Sequence, residues 1–404
     1  VKILVVTQYF QPENFKSNDI AFELSRRGHD VTVLTGIPNY PQGKFYKGYG
    51  ILKKRHERIN GVSIYRAFLI PRGKGGGMML ALNYLSWALI ASIWAFLMAL
   101  FRKYDAVFVH ETSPITQGYP ALVVRAMCHC PMYFWVLDLW PESLQAAGGI
   151  NNKHILGIFT RMTRQMYRES EKILISSNGF RESILAKGDY EDKIEYFPNW
   201  AESVFENPSE VRLDRNLPRL PDGFRVMFTG NVGEAQDFEQ VIKAAELLKD
   251  YKNIKFLIVG DGRKRQWVTD AIKDKDLEET VFWLGRYPLD YIPAISNDAD
   301  VLFLSLKSDL IFRLTVPAKL QSYMATGKPI AAMIDGEAQN IVKESGCGLC
   351  ADAGDAKAFA DNILKMSKFP KEKLAAMGKA GLEYYDKYFR KAVCFDRLYN
   401  LIEK

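Results

Sequence analysis

Short apolar runs alternate with helix-length amphipathic stretches along this chain, and the alternation stops once and then restarts. Runs at residues 2–6, 30–35, 62–69, 106–110, 132–137 and 172–176 form a first series. Runs at 224–229, 255–259, 281–284, 301–304 and 329–333 form a second. A short apolar run bounded by turns and helices is the signature of a parallel strand buried on both faces. Parallel neighbours need long crossovers, usually helical, so the pattern demands doubly wound α/β sheets. The stretch 207–222, rich in Pro and charge, separates the two series and reads as a linker. A chain of 404 residues with 48% hydrophobic side chains has material for two cores. We expect a first domain over 1–205, a second over 206–383, and a helix over 384–404 crossing back to the first. Ligands of such sheets sit at the carboxyl ends of the strands, which places the expected cleft there.

Charge narrows the partners. The net charge is +7, and the whole excess lies in the first 200 residues, clustered at Lys47, Lys53, Lys54, Arg55 and Arg58. That suits a solvated face, or an anionic membrane surface or phosphorylated lipid. No nucleic-acid-binding motif accompanies it, so nucleic acid is not expected. Five cysteines, an odd number, indicate reduced thiols, and Cys128/Cys130 with Cys347/Cys350 are too scattered to suggest zinc. The chain opens on a strand, and no signal peptide is expected. From Met78 to Phe101 there is no charged residue, and Arg102 and Lys103 follow. The segment is long enough to span a bilayer, which takes about 20 residues. It lies between runs 62–69 and 106–110, however, so a buried or membrane-surface helix is expected rather than a span.

The strand ends carry the chemistry. Residues 314–329 (LTVPAKLQSYMATGKP) read as a loop, a helix opened by Pro317, and a Gly-Lys-Pro exit into a buried strand. Helical spacing puts Lys319 and Ser322 on one face and Leu320, Tyr323 and Met324 on another. A helix start beside a lysine suits a diphosphate. Gly230, Asn231 and Gly233 follow one strand, Arg263 and Lys264 flank the next glycine turn, and Arg286 follows the strand after it. Glycines there let backbone approach a ligand, and so many anion-binding candidates on one domain point to one nucleotide site. In the first half, His110 and Glu111 close a strand, and Asp138-Leu139-Trp140-Pro141-Glu142 follows the next, pairing carboxylates with an aromatic platform for a sugar. A structural histidine and an N-capping carboxylate are the plainer alternatives. Asn39-Tyr40-Pro41 opens a basic, aromatic loop, and Asp298/Asp300 lead into an apolar strand rather than a metal site.

Several segments together resemble glycosyltransferase family 4. They are YFQPE, RRGHDVTVLTG, PNYPQGKFYKGY, DLWPESL, FTGNVGEAQDFE and VPAKLQSYMATGKP. DLWPE and PNYP with GKFYKGY resemble its N-acetyl-L-fucosaminyltransferase-like branch among bacterial capsule and O-antigen enzymes. The resemblance implies a GT-B fold, two Rossmann-like doubly wound domains facing across a cleft. It implies a retaining, metal-independent hexosyltransferase with no cofactor, its donor substrate a UDP-sugar, often an N-acetylated 6-deoxyhexose. The implied acceptor is a polyprenyl-diphosphate-linked glycan at the cytoplasmic face of the inner membrane, with the enzyme peripheral or monotopic. Gly230, Asn231 and Gly233 match the donor loop, Lys319 the residue attending the diphosphate, and His110 the position facing the transferred hexose. The family's ribose-binding glutamate is Ser322 here, with Gln321 beside it; its upstream glutamate is Leu314. The basic residues expected after the glycine loop are Val232 and Gln236, leaving Arg313, Arg263 or Lys264 to supply charge. Glu111, Asp138 and Glu142 are candidates for holding hydroxyls or, were the reaction inverting, for general base. A sugar-nucleotide epimerase or a non-catalytic nucleotide-binding homologue shares the expected fold.

Overall fold

The computed structural model describes residues 1–208 and 217–403. The chain divides into two compact units, one of Val1–Phe197 with Phe395–Lys404, the other of Pro198–Cys394. Half of the expected linker, 209–216, lies outside the described residues.

The first unit holds eight strands: β1 (Lys2–Val6), β2 (Asp30–Gly36), β3 (His56–Ile59), β4 (Val62–Ala67), β5 (Ala106–Glu111), β6 (Met132–Val136), β7 (Lys172–Ile175) and β8 (Ile194–Tyr196). They form one sheet in the order β3-β4-β2-β1-β5-β6-β7-β8, parallel except for the β3–β4 pair. Every residue of β5 and β6 is buried, as a sheet covered on both faces requires. β3 was not expected: HERI pairs only at the edge, alternates exposed and half-buried residues, and has no apolar run to betray it.

The apolar segment forms a helix, Gly77–Phe101, between β4 and β5. Both strands belong to one sheet, so a spanning helix would have to carry that sheet to both sides of a bilayer. Instead one stripe packs inward through Asn83, Trp87, Ala88, Ala91, Ala95 and Ala99. The small alanines admit close approach to the neighbouring helix Tyr119–Cys128. Nine large apolar side chains on this helix, from Met78 through Leu89 to Phe101, stand exposed.

The second unit holds β9 (Phe224–Asn231), β10 (Ile254–Asp261), β11 (Val281–Gly285), β12 (Val301–Ser305), β13 (Ile330–Met333) and β14 (Gly348–Ala351). The order is β11-β10-β9-β12-β13-β14, all parallel. Phe228, Phe256 and Phe303 stack at its centre with ring centroids 5.4 and 6.1 Å apart. Burying each ring stabilises by roughly 2–3 kcal/mol.

The C-terminal stretch is not one helix from 384. Helix Lys371–Tyr388 stops, and a second, Lys391–Ile402, begins after a break at Phe389-Arg390. The Arg390 amide bonds the Tyr385 carbonyl at 2.8 Å there. The end of this second helix is tied into the first unit. Tyr133 donates to the Leu401 carbonyl at 2.7 Å, and Arg27 pairs with Asp396 at 2.7 Å.

Candidate functional site

β9 and β10 run in register to their carboxyl ends, Gly260 opposite Gly230 and Asp261 opposite Asn231. A Cβ on Gly260 would sit 1.8 Å from the Gly230 carbonyl oxygen, and one on Gly262 would meet the Val232 carbonyl at 2.2 Å. Only glycine lets these two strand ends lie so close. Gly230 itself has φ +132°, and a Cβ there would strike the Lys319 side chain at 2.6 Å. The glycines therefore make room for a lysine and leave a cleft of about 870 Å³ within the second unit.

Lys319 is carried by the helix Ala318–Ala325. Pro317 is its cap rather than its first residue, with its carbonyl accepting from Leu320 at 2.9 Å. The expected faces hold: Leu320, Tyr323 and Met324 are buried, while Lys319 and Ser322 line the cleft. The Tyr323 hydroxyl accepts from the Thr229 amide at 2.9 Å and donates to its carbonyl at 3.2 Å, fastening the helix to the end of β9. Lys319 Nζ lies 4.8 Å from the centroid of Phe228 and has no carboxylate partner among the described residues. Burial lowers its pKa to about 8. An unpaired, half-buried ammonium is costly, and an incoming anion would relieve that cost.

Not every expected residue joins it. Gly230, Asn231, Arg263, Arg286, Lys319 and Ser322 line the cleft. Arg263 and Arg286 are exposed and have no ion pair among the described residues. Lys264 does not line it: it is held by Glu239 at 2.6 Å and Glu234 at 3.1 Å. Glu234 also takes Lys307 at 3.1 Å, and these contacts hold its pKa below the usual range. Gln321 is buried and donates to the Asn199 carbonyl at 2.9 Å, fixing the chain before Trp200. Arg313 stands away from the cleft, its backbone packed on Gly336. Gly233 shapes the loop instead, its amide bonded to Gln236 Oε1 at 3.0 Å. Ser322 turns its hydroxyl to the Ala318 carbonyl at 3.1 Å. Sequence reading missed Trp200, Glu202 and Tyr287, which also line the cleft. Trp200 and Glu202 come from the stretch after β8, and no local motif links that stretch to a site.

In the first unit His110 ends up enclosed, 1% exposed, its ring centroid 6.4 Å from that of Phe15, edge to face, and 5.3 Å from that of Trp135. Thr7 Oγ1 donates to the Tyr9 carbonyl at 3.1 Å and lies 3.2 Å from His110 Nδ1. Thr7 thus holds the ring at Nδ1, and Nε2 is left unpartnered among the described residues. Burial drops the pKa to about 3, and the ring is neutral. Glu111 is fully buried, and desolvation, then Asp138, pushes its pKa well up. Asp138 is also raised by burial, though Ser143 donates to it. Glu142 is spoken for: Oε1 accepts from Lys187 and Ser183, both at 2.6 Å. His110 and Glu111 thus end β5 buried, and half-buried Asp138, after β6, acts on Glu111, while Glu142 sits in a structural pair. Glu142→Gln is expected to cost about 2–4 kcal/mol by stranding the buried Lys187. Turnover per folded molecule should be retained. Denaturant melts with kinetics on the folded fraction check this, and a stable but inactive variant would restore Glu142 to the chemistry.

The five cysteines are free, and no cluster of three metal-ligating side chains occurs among the described residues.

Two family models match the chain. That for glycosyl transferases group 1 matches residues 212–384, and that for a glycosyl transferase 4-like domain matches residues 17–200. WcaI of Escherichia coli, named for glycosyl transfer in colanic acid biosynthesis, is 25% identical over 93% of this chain and 94% of its own. WbjE of Pseudomonas aeruginosa, named as a glycosyltransferase, is 27% identical over 63% of this chain and 65% of its own. Among solved structures, HepE of Anabaena in complex with UDP superposes with a TM-score of 0.70 over the whole of both chains, at 13% identity. The fold is GT-B.

Proposed function

We propose that this chain, whose two halves match the models for glycosyl transferases group 1 and for a glycosyl transferase 4-like domain, moves a hexose from a UDP-sugar to a polyprenyl-diphosphate-linked saccharide. The transferred sugar is of the N-acetylated 6-deoxyhexose type, and the pathway builds a bacterial surface polysaccharide at the cytoplasmic face of the inner membrane. The carrying observation is Lys319, an ammonium with no carboxylate partner set against glycines at the end of β9. Arg263 and Arg286 add charge to the same cleft. The relative's name in colanic acid synthesis and the UDP held by HepE favour the same pathway class and nucleotide.

The reaction is retaining and needs no metal. The diphosphate leaves toward Lys319, and its departing oxygen takes the proton of the acceptor hydroxyl as that hydroxyl attacks from the same face. The protein supplies charge and position rather than a base. Neutral His110 accepts a sugar hydroxyl at Nε2, which requires Phe15 to swing aside. Glu111 and Asp138 hold sugar or acceptor hydroxyls by hydrogen bonds. The exposed face of the helix Gly77–Phe101 rests on the bilayer. Ile51 and Leu52, 55% and 94% exposed, extend that face beside Lys53 and Lys54.

A transfer assay tests this. Membrane extract and a panel of UDP-sugars are incubated with the protein, and lipid-linked saccharides are read by mass spectrometry and anomeric NMR. A lipid product longer by one sugar, with the donor's anomeric configuration, is expected. An inverted product would replace the same-face scheme with Asp138 as base. Isomerised donor without lipid product would make the chain an epimerase. UDP binding without turnover would make it a non-catalytic homologue, a reading favoured by Ser322 where the family carries a glutamate.

A further inference from the structure

A second hollow, of about 660 Å³, lies in the first unit between the loop after β2 and the loop after β4. Tyr40, Gln42 and Lys44 line one side, and Arg72 and Lys74 the other. The two loops are pinned together: the Gly73 amide bonds the Gly43 carbonyl at 2.9 Å, and the Arg72 amide donates to Asn39 Oδ1 at 3.3 Å. A Cβ on Gly43, whose φ is +74°, would lie 1.7 Å from the Gly73 carbonyl oxygen, so only glycine closes this seam. Glu13 clamps the Asn39 and Tyr40 amides at 2.8 and 2.7 Å. The hollow is therefore a built shape.

Its charge is free. Lys44 and Lys74 are exposed and have no ion pair among the described residues. The Arg72 guanidinium stacks 5.0 Å over the Tyr40 ring and donates to the Tyr84 hydroxyl at 3.4 Å; it feels the Glu13 carboxylate, already bonded to two amides, but forms no ion pair among the described residues. Three cations around one cavity fit a group of two adjacent phosphates. The hollow also has a direction. Three residues after Lys74 the apolar helix begins, and its exposed stripe starts at Met78, which is 76% exposed. Asn83 of that helix donates to Asn39 at 3.4 Å and to the Ile70 carbonyl at 2.6 Å, locking helix and hollow into one piece. At 1.5 Å per residue the stripe, from Met78 to Phe101, runs for about 35 Å. On the other side, Tyr40 packs 5.5 Å from Phe15, whose ring edge faces His110.

We infer that this hollow seats the diphosphate of a lipid-linked acceptor, with the hydrocarbon lying along the exposed stripe of Gly77–Phe101 and the first sugar over Tyr40 and Phe15. A free nucleotide or phosphate would use the cations but not the stripe, and an apolar protein partner the stripe but not the cations; a lipid diphosphate uses both. The inference rests on the acceptor class proposed above.

The test uses the full chain and phosphatidylcholine vesicles of two kinds. One carries a polyisoprenyl diphosphate, the other phosphatidylglycerol at equal surface charge. Wild type should sediment more with the first. Lys44→Ala/Lys74→Ala should lose about thirtyfold of that affinity, two cations' worth, and keep its UDP affinity by calorimetry. Leu85→Asn/Leu89→Asn should lose binding to both vesicles. Equal binding of wild type to the two vesicles, or a lysine double variant that keeps the preference, overturns the seat. If the preference holds but UDP does not bind, the donor reading fails and the seat stands.

Discussion

Lys319→Met is expected to weaken UDP binding by about a hundredfold, roughly 3 kcal/mol, while making the unliganded protein more stable. Both effects have one cause. The ammonium's pKa falls from about 10.4 in an unfolded chain to about 8 in the fold, because burial penalises the charge without supplying a counter-ion. Below pH 8 both states hold the proton, and the native state bears the full desolvation cost. Between pH 8 and about 10.4 the native state sheds the proton first, and the cost fades. Methionine keeps the length and removes the charge, so the gain at pH 7 is on the order of 2 kcal/mol. The lost contact with Phe228 offsets about 0.5–1 kcal/mol of it. Denaturant melts at pH 7 and pH 10 with UDP calorimetry check this. A variant destabilised at pH 7, or a gain that persists undiminished at pH 10, would show that Lys319 is not an uncompensated cation waiting for an anion.

His110→Ala is expected to lower kcat by about a hundredfold, the loss of one preorganised hydrogen bond, with little change in UDP affinity. The wild-type pH–rate profile carries a second signature. With a pKa of about 3, His110 stays neutral across the working range and should produce no acid limb between pH 5 and 8. Stability does respond. The unfolded chain takes up the proton near pH 6.5 and the native state refuses it until about 3, so His110 draws stability away as pH falls through that window. Melts from pH 7 to pH 4, comparing wild type with His110→Ala, should show a steeper acid loss in wild type. A rate limb near pH 6.5 that vanishes in the variant would instead make His110 a titrating acid or base.

The two halves of the donor site differ in how much the sequence revealed. Lys319 and Ser322 on one face, with Leu320, Tyr323 and Met324 on the other, follow from helical spacing, and the structure carries that arrangement. Lys264 and Arg263 are neighbours in sequence with the same chemistry, yet one is consumed by Glu234 and Glu239 and the other is free. Spacing along the chain cannot choose between them, because the carboxylates that decide lie some 25 to 30 positions away. Gln321 was separated from Ser322 in the same way, by the carbonyl of Asn199.

The apolar helix shows the same division most plainly. Its length and lack of charge are legible in the residues, but both of its faces are apolar, so no periodicity says which one turns inward. The choice falls to partners: Asn83 and Trp87 are buried inward, the alanines beyond them let the backbone approach its neighbour helix, and the Leu, Ile and Phe stripe is left outside. The hollow beside it joins residues 40–44 to 72–75, segments that touch only because β2 and β4 pair in parallel. What the sequence by itself determined is the alternation of elements, the two-sheet class, the glycine turns and the lysine helix, all set by local sterics and burial. Which charges stay unpaired, which histidine nitrogen is left without a partner and which helix face meets solvent were decided by tertiary packing, since each depends on partners brought from distant parts of the chain.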